Sequence, residues 1–317
     1  MDSTRTQPRR PSQGPRCETP HRHAFKAFDT AVVLDLWGGR QECQQAAHAA
    51  EGACSAYERL LSRTLPDSDV GRLNAAGGAW VAVDVRTLDL VKAALEYCER
   101  SEGAFDITVA PAVALWDFKR GVVPDPDALV RAAAHVGWRA VELDEASCRL
   151  RLADPQAMVD LGGIAKGWIA DRLREQLMDG RFGLSGMIAN LGGNVVVGGT
   201  KPDGEPWRVG VKDPRDPSRN AAVVPLACGS VVTSGTYERC FRRDGVLCHH
   251  VLDPRTGWPV DTDLASATLV CESSLDAEGY STTVLALGKE RGSALVRRRP
   301  EIRHACLVGT DGELVLL

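Results

Sequence analysis

Several segments of this sequence combine glycines with side chains that can hold a phosphate group. One of them, Asp160-Leu-Gly-Gly-Ile-Ala-Lys-Gly167, follows an apolar pair and leads into a helical pattern. Paired glycines allow close backbone approach to a ligand, and the start of a helix offers N–H groups and partial positive charge. Lys166 adds a point charge suited to phosphate. The spacing matches neither the P-loop nor the dinucleotide fingerprint, so an ordinary strand-to-helix turn is equally compatible with it.

A histidine near a turn is the candidate proton acceptor. His250 precedes Val-Leu-Asp-Pro-Arg, where Asp253-Pro254 predicts a turn after a short strand. Histidine is the side chain best suited to accept a proton near neutral pH. His249 is expected on the opposite face of the strand, so the two imidazoles should not act together. A purely structural role for His250 is the alternative.

Glu278-Gly-Tyr-Ser-Thr282 places a carboxylate and a hydroxyl four residues apart in a segment with a helical pattern. Residues at this spacing share one helix face, and oxygen atoms of this kind are ligands that Mg²⁺ prefers. The alternative is an ordinary glutamate in the first turns of a helix.

Two further segments are ambiguous from the residues alone. In Gly103-Ala-Phe-Asp-Ile-Thr-Val-Ala-Pro111, Phe105 could stack on a planar ring and Asp106 could accept a hydrogen bond, or both could be structural. The glycine pair in Asn190-Leu-Gly-Gly-Asn194 indicates either a close backbone contact or a hairpin turn.

The elements that must position these segments mix both types of secondary structure. Periodicity and capping signals predict helices over 41–61, about 88–98, 126 to a stop at Gly137, 163–177 and 275–287, the last ending at Gly288. Strands are predicted over 31–36, 80–83, 140–144 and 149–152, through much of 187–270, and on both sides of Asp311-Gly312. Many strands follow one another without a crossover helix. The fold class is therefore predicted as α+β, with mixed, largely antiparallel sheets flanked by helices.

Composition and charge indicate the class of protein, its cellular location and the extent of the folded domain. The chain has 317 residues and a formal net charge of −4, which argues against a dedicated nucleic-acid-binding protein. Its ten cysteines form no CxxC pair, which favours reduced thiols and a cytoplasmic location. Residues 1–23 are polar and rich in Pro and Arg, so we predict a disordered tail without an export signal or membrane anchor. Residues 24–317 are predicted to form the folded domain.

Taken in order, the segments resemble the ApbE family of FAD:protein FMN transferases. The resemblance is carried by the following segments: Phe105-Asp-Ile-Thr-Val109, Asp160 to Gly167, Asn190-Leu-Gly-Gly193, Thr233-Ser-Gly235, His250-Val-Leu-Asp-Pro-Arg-Thr-Gly257, Glu278 with Thr282, and the earlier Pro66-Asp-Ser-Asp-Val-Gly-Arg-Leu-Asn74. It extends from about residue 25 to the C-terminus.

The resemblance implies an ApbE-like fold with a ligand cleft between two sheet-rich halves. It also implies that FAD is the substrate, that Mg²⁺ (or Mn²⁺) is the cofactor, and that a Thr or Ser of an acceptor flavoprotein receives FMN while AMP leaves. The metal ligands would be Gly163, through its carbonyl, Glu278 and Thr282. The catalytic residues would be His250 as base and Lys166. FAD would be contacted by Phe28, Ala104, Phe105, Asp106, Asp160, Lys166, Ser234 and Val251.

The sequence departs from the family pattern at two of these positions. Glu278 stands where the family has Asp, and Phe28-Asp-Thr30 stands where it has Met-Gly-Thr. Two alternative functions stay open on the sequence. One is an FAD pyrophosphatase that releases FMN and AMP to water, and the other is an FAD-binding protein without catalysis.

Overall fold

The computed structural model describes residues 19–317. The helices are α1 (Arg40–Leu61), α2 (Asp69–Ala75), α3 (Val85–Arg100), α4 (Ala110–Val113), α5 (Pro126–Ala133), α6 (Ala165–Met178) and α7 (Ser274–Arg297). The strands are β1 (His21–Ala27), β2 (Thr30–Trp37), β3 (Val81–Ala82), β4 (Val141–Asp144), β5 (Arg149–Leu152), β6 (Gly186–Leu191), β7 (Asn194–Gly199), β8 (Trp207–Asp213), β9 (Asp216–Leu226), β10 (Gly229–Gly235), β11 (Cys240–Arg243), β12 (Val246–His249), β13 (Leu264–Cys271), β14 (Ile302–Gly309) and β15 (Leu314–Leu316).

One large sheet organises the fold. Its eight strands run in the order β1-β2-β6-β7-β10-β13-β14-β15, and every neighbouring pair is antiparallel. Smaller antiparallel sheets are formed by β3-β5-β4, β8-β9 and β11-β12. The predicted α+β class with largely antiparallel sheets is confirmed. The main sheet is continuous and the other sheets have two or three strands, so the structure does not divide into two sheets of equal size.

The main hydrophobic core lies between one face of the large sheet and the helices α1, α3, α6 and α7. Buried residues of the central strands, such as Leu34, Ala189 and Leu269, pack there with Leu173 of α6 and Val284 of α7. Because α6 and α7 share this core with β7 and β10, side chains at the edge of the helix layer are brought to the ends of those strands.

Most predicted elements are confirmed, with differences at their ends. Asp125 caps α5 by accepting a hydrogen bond from the Ala128 N–H, but the helix ends at Ala133 rather than at Gly137, which begins a 3₁₀ turn instead. Gly288 does interrupt α7, with φ at +76°, yet helical structure resumes and continues to Arg297. The predicted stop is therefore a kink between two helical segments.

The predicted tail needs one correction. Residues 1–18 lie outside the described residues, but β1 begins at His21 and pairs with β2 over its whole length. Residues 21–23 therefore belong to the sheet. Among residues 19–317, no helix combines the length and apolarity that crossing a bilayer requires.

Candidate active site

The first turns of α7 carry Glu278 and Thr282, the predicted metal ligands on that helix. Asp171 of α6 fixes this end of α7, since its carboxylate accepts hydrogen bonds from the backbone N–H groups of Ser274 (2.9 Å) and Leu275 (3.0 Å). A carboxylate at this position satisfies N–H groups that have no partner within the helix and complements the helix dipole. Contacts between α6 and α7 therefore set the position of Glu278.

The two helices approach closely at Gly167. A Cβ atom at this position would lie 2.5 Å from the Ser274 carbonyl oxygen and 2.7 Å from the Cβ of Glu278. Only glycine allows this approach without a shift of one helix. As a result Lys166, the preceding residue, reaches the carboxylate of Glu278.

The Glu278 carboxylate is buried, with 8% of the side chain exposed, and both of its oxygens have partners. Oε1 accepts a hydrogen bond from Lys166 Nζ at 2.6 Å, and Oε2 accepts one from Asn194 Nδ2 at 2.6 Å. Asn194 is held in turn by Ser274, whose hydroxyl donates to Asn194 Oδ1 at 2.8 Å. A buried carboxylate is tolerated only with such partners, so these contacts fix its orientation.

Thr282 lies one helical turn after Glu278 and faces β10. Its Oγ1 is 3.1 Å from Ser234 Oγ, which also lies 2.8 Å from Ser281 Oγ. The predicted residues Thr282 and Ser234, which are 48 positions apart in the sequence, are therefore brought together.

The glycine turn before α6 is held by Asp160. Its Oδ1 accepts the Gly162 N–H at 2.8 Å, and its Oδ2 forms an ion pair with Arg63 Nε at 2.8 Å. Asp160 therefore holds the glycine turn, and its predicted contact with FAD stays a prediction. A Cβ at Gly163 would lie 3.0 Å from Cε2 of Phe105, so the Phe105 ring packs directly on the turn.

Asp106 accepts hydrogen bonds from its own loop and from Trp138. Its buried Oδ1 accepts hydrogen bonds from the Thr108 N–H and hydroxyl (2.8 and 2.6 Å), and Oδ2 accepts one from the Trp138 N–H at 3.0 Å. The carboxylate therefore braces the loop that carries the half-buried Ala104 and the buried Phe105. Its three hydrogen bonds leave one acceptor position on Oδ2, so the predicted contact of Asp106 with FAD stays a prediction.

His250 follows β12 directly. Its backbone N–H donates to the Arg239 carbonyl at 3.1 Å, and its Nδ1 is buried without a hydrogen-bond partner among the described residues. Burial, reinforced by the charges of Arg239, His249 and Lys166, lowers the pKa of His250 to about 4. The imidazole is therefore neutral at pH 7 and can accept a proton. The neighbouring Val251 is buried and packs into the main core.

Two charged residues at the mouth of the site were missed from the sequence. Glu238 lies in the loop between β10 and β11. The pKa of its carboxyl group is raised, mainly because the group is buried. The nearby charge of Glu278 also raises this pKa, whereas the charges of Lys166 and Arg239 oppose the increase. Arg239 Nη2 is 3.4 Å from Asp29 Oδ2, in the β1–β2 turn beside Phe28. Their position shortly after Thr233-Ser-Gly235, beyond Thr236 and Tyr237, is the signal that could have identified both.

Phe28 occupies the β1–β2 turn at the rim of the site. It is half-buried, adopts φ of +55°, and donates its N–H to Glu58 Oε1 at 2.9 Å. An aromatic residue held in this left-handed conformation by α1 is fixed at the edge of the site rather than inside the core.

The donor atoms fit a hard divalent cation. Within residues 19–317, no three His, Cys, Asp or Glu side chains gather into a metal-binding cluster, so a metal here would rely on Glu278 and neutral oxygens. Mg²⁺ is commonly held by one or two carboxylates plus substrate phosphates. The Lys166 ammonium already lies between Glu278 Oε1 and the Gly162 carbonyl, 3.4 Å away, which shows that this position accommodates positive charge.

Comparisons with known proteins show the family of the chain. The chain matches the model of the ApbE family over residues 28–307. It is 38% identical over 262 residues to an FAD:protein FMN transferase from Treponema pallidum, covering 77% of this chain and 72% of the relative. A Klebsiella pneumoniae protein of the same name is 37% identical over 264 residues, covering 82% and 81%. The crystal structure of the ApbE protein from Thermotoga maritima superposes with a TM-score of 0.86 at 31% identity, covering 93% of this chain and 96% of that one. The apo flavinyl transferase ApbE from Pseudomonas stutzeri gives a TM-score of 0.80 at 29% identity, covering 94% and 95%.

Proposed function

This chain belongs to the ApbE family, and we propose that it is an FAD:protein FMN transferase that moves FMN from FAD to a Thr or Ser hydroxyl of an acceptor flavoprotein, with Mg²⁺ as cofactor. The observation that carries the proposal is the contact of Lys166 Nζ with Glu278 Oε1 at 2.6 Å, one helical turn before Thr282, in a chain that matches this family. The charge of Lys166 also acts on His250, which comes from another part of the chain. Phosphoryl transfer requires charge neutralisation, positioning of the reactants and a proton acceptor, and side chains of these types can supply all three.

In the proposed reaction the acceptor hydroxyl oxygen forms a bond to the phosphorus of the FMN half. The P–O bond to the AMP half breaks, and AMP leaves with the bridging oxygen. The hydroxyl proton goes to the imidazole of His250, whose lowered pKa keeps it unprotonated before the reaction. Lys166 supplies positive charge to the phosphate oxygens.

We assign the metal to Glu278, Thr282 and the Gly163 carbonyl. A divalent cation bound there would neutralise charge on the pyrophosphate. We infer that the planar rings of FAD lie next to the half-buried Phe28 side chain and to the edge of the largely buried Phe105 ring, which packs on the glycine turn. Ser234 is placed to contact the phosphates or to orient Thr282.

We also propose a cytoplasmic location and therefore a cytoplasmic acceptor. Support comes from five buried cysteines of the described chain that form no disulfide: Cys54, Cys98, Cys248, Cys271 and Cys306. Buried unpaired thiols are typical of proteins in reducing compartments.

The test is to measure AMP release from FAD, with Mg²⁺ or with EDTA, in the presence and absence of a Thr-containing acceptor peptide, followed by the intact mass of the peptide. A metal-dependent mass gain of one FMN is the expected result. AMP release without a mass gain on any of a panel of Thr and Ser peptides would favour an FAD pyrophosphatase. FAD binding without AMP release would contradict both activities and favour a non-catalytic FAD-binding protein.

A further inference from the structure

The Lys166 side chain occupies the position at which a cation would contact Glu278. Its ammonium lies 2.6 Å from Glu278 Oε1 and 3.4 Å from the Gly162 carbonyl oxygen, so it bridges the helix acid and the glycine turn. The lysine side chain is 23% exposed and the glutamate side chain 8%, so the pair is shielded from most solvent. An ion pair in such surroundings is much stronger than one on the surface.

The other carboxylate oxygen has a partner that is harder to displace. Glu278 Oε2 accepts the hydrogen bond from Asn194 Nδ2, and Asn194 is 1% exposed and held by the Ser274 hydroxyl. Moving Asn194 would leave buried polar groups without partners, which costs more than moving a lysine that has a path to solvent. Of the two partners of Glu278, Lys166 is therefore the one that a divalent ion displaces more easily, and it is also the one that carries a competing charge.

We propose that Lys166 acts as an internal cation that competes with the divalent metal for Glu278. In the metal-free enzyme the ammonium neutralises the carboxylate, and metal binding displaces it. The released ammonium then turns to the phosphates of FAD. The inference rests on the proposed function in one respect, which is that the divalent ion binds at Glu278.

Competition of this kind couples the two ligands. Once Lys166 is drawn to the phosphates of FAD, Glu278 is free for the metal, and once the metal is bound, Lys166 is free for the phosphates. By thermodynamic linkage each ligand then raises the affinity of the other by the same factor. The site would thus favour binding both metal and FAD over binding either one alone.

The experiment measures Mn²⁺ binding to the FAD-free protein from the electron paramagnetic resonance signal of the free ion. All variants are compared at the same pH and ionic strength, so that differences in affinity arise from the substitution. The variants are Lys166→Met, which removes the charge, and Lys166→Arg, which retains it. Lys92→Met is the matched control, because Lys92 forms a surface ion pair with Glu145 at 2.7 Å, away from the site. Glu278→Gln reports whether the observed binding occurs at this carboxylate.

We expect Lys166→Met to bind Mn²⁺ at least about tenfold more tightly than the wild type, the lower end of what losing a charge-assisted competitor predicts. Lys166→Arg and Lys92→Met should stay within about twofold of the wild type, the change expected when the charge at Glu278 is kept. Unchanged or weaker binding by Lys166→Met, with binding lost in Glu278→Gln, would overturn the competition and leave the metal site intact. Binding that survives in Glu278→Gln would overturn the metal site itself, and the inference with it.

Discussion

The crossing of α6 and α7 at Gly167 offers the sharpest test of how the site is positioned. The perturbation is Gly167→Ala, which adds a single methyl group at a point where the Ser274 carbonyl oxygen would be 2.5 Å away and the Glu278 Cβ 2.7 Å away. Neither neighbour is the flexible end of a side chain, so one helix must move. The matched control is Gly52→Ala in α1, where an added Cβ would meet no atom within 4 Å.

The two substitutions should change the free energy of unfolding in opposite directions. In a helix interior Ala is favoured over Gly by about 1 kcal/mol. Gly52→Ala should therefore stabilise the protein by about this amount. At Gly167 the same gain is outweighed by overpacking of about 1–3 kcal/mol. Moving α7 also stretches the 2.6 Å contact between Lys166 and Glu278, a charge-assisted hydrogen bond worth about 1.5–3 kcal/mol. The net expectation is a destabilisation of about 2–4 kcal/mol for Gly167→Ala.

The assay is urea denaturation followed by tryptophan fluorescence, with the midpoints compared at constant slope. FAD binding is measured in parallel, because displacement of Glu278 should weaken metal-dependent binding in Gly167→Ala alone. Equal stabilisation by both substitutions would refute the reasoning, since it would mean that α6 and α7 are not in contact at Gly167.

Four further predictions follow from the site. His250→Ala should lower the rate of FMN transfer by about 10²–10⁴-fold without weakening FAD binding, while the exposed His304→Ala leaves the rate unchanged; an active His250 variant would exclude the imidazole as base. Burial lowers the pKa of His250 from 6.5 to about 4, so between these values the unfolded state binds a proton that the folded state does not. The free energy of unfolding of the wild type should therefore fall relative to that of His250→Gln, by up to about 3 kcal/mol, as the pH is lowered through this range in parallel urea titrations. Asp106→Asn should cost about 1–3 kcal/mol of stability, because the amide has one acceptor oxygen and its nitrogen is a donor. Either the donors of Thr108 or the N–H of Trp138 would then lose their acceptor, and an unchanged urea midpoint would contradict this. Glu278→Asp should retain or increase Mg²⁺-dependent AMP release, whereas an inactive Asp variant would show that the site is built around the longer side chain.

The motifs of this protein could be found from the sequence because each depends on local chemistry. The helix N-cap at Asp125 and the i,i+4 pair of Glu278 and Thr282 involve residues only a few positions apart. Glycine pairs likewise mark turns through backbone freedom alone. Local signals were weaker at element ends: Gly288 was read as a helix stop, but packing against the core lets helical structure resume after it.

The partners of the site residues could not be read in the same way. The contacts of Glu278 with Lys166 and Asn194 join residues 112 and 84 positions apart, and the distance between them depends on how α6, α7 and β7 pack. Asp106 and Asp160 illustrate the limit, since the residue type alone does not show the hydrogen bonds by which each of them braces a loop or turn. The lowered pKa of His250 also arises from burial and from charges on other segments.

The sequence by itself thus determined the order of the motifs, the fold class and the chemical types of the residues that act, because these follow from local propensity and from the side chains themselves. Only the tertiary structure decided which groups meet, which oxygens are already occupied and which charges are buried. These properties depend on distances of a few ångströms between residues far apart in the chain, and those distances are set by the collective packing of the helices on the sheet.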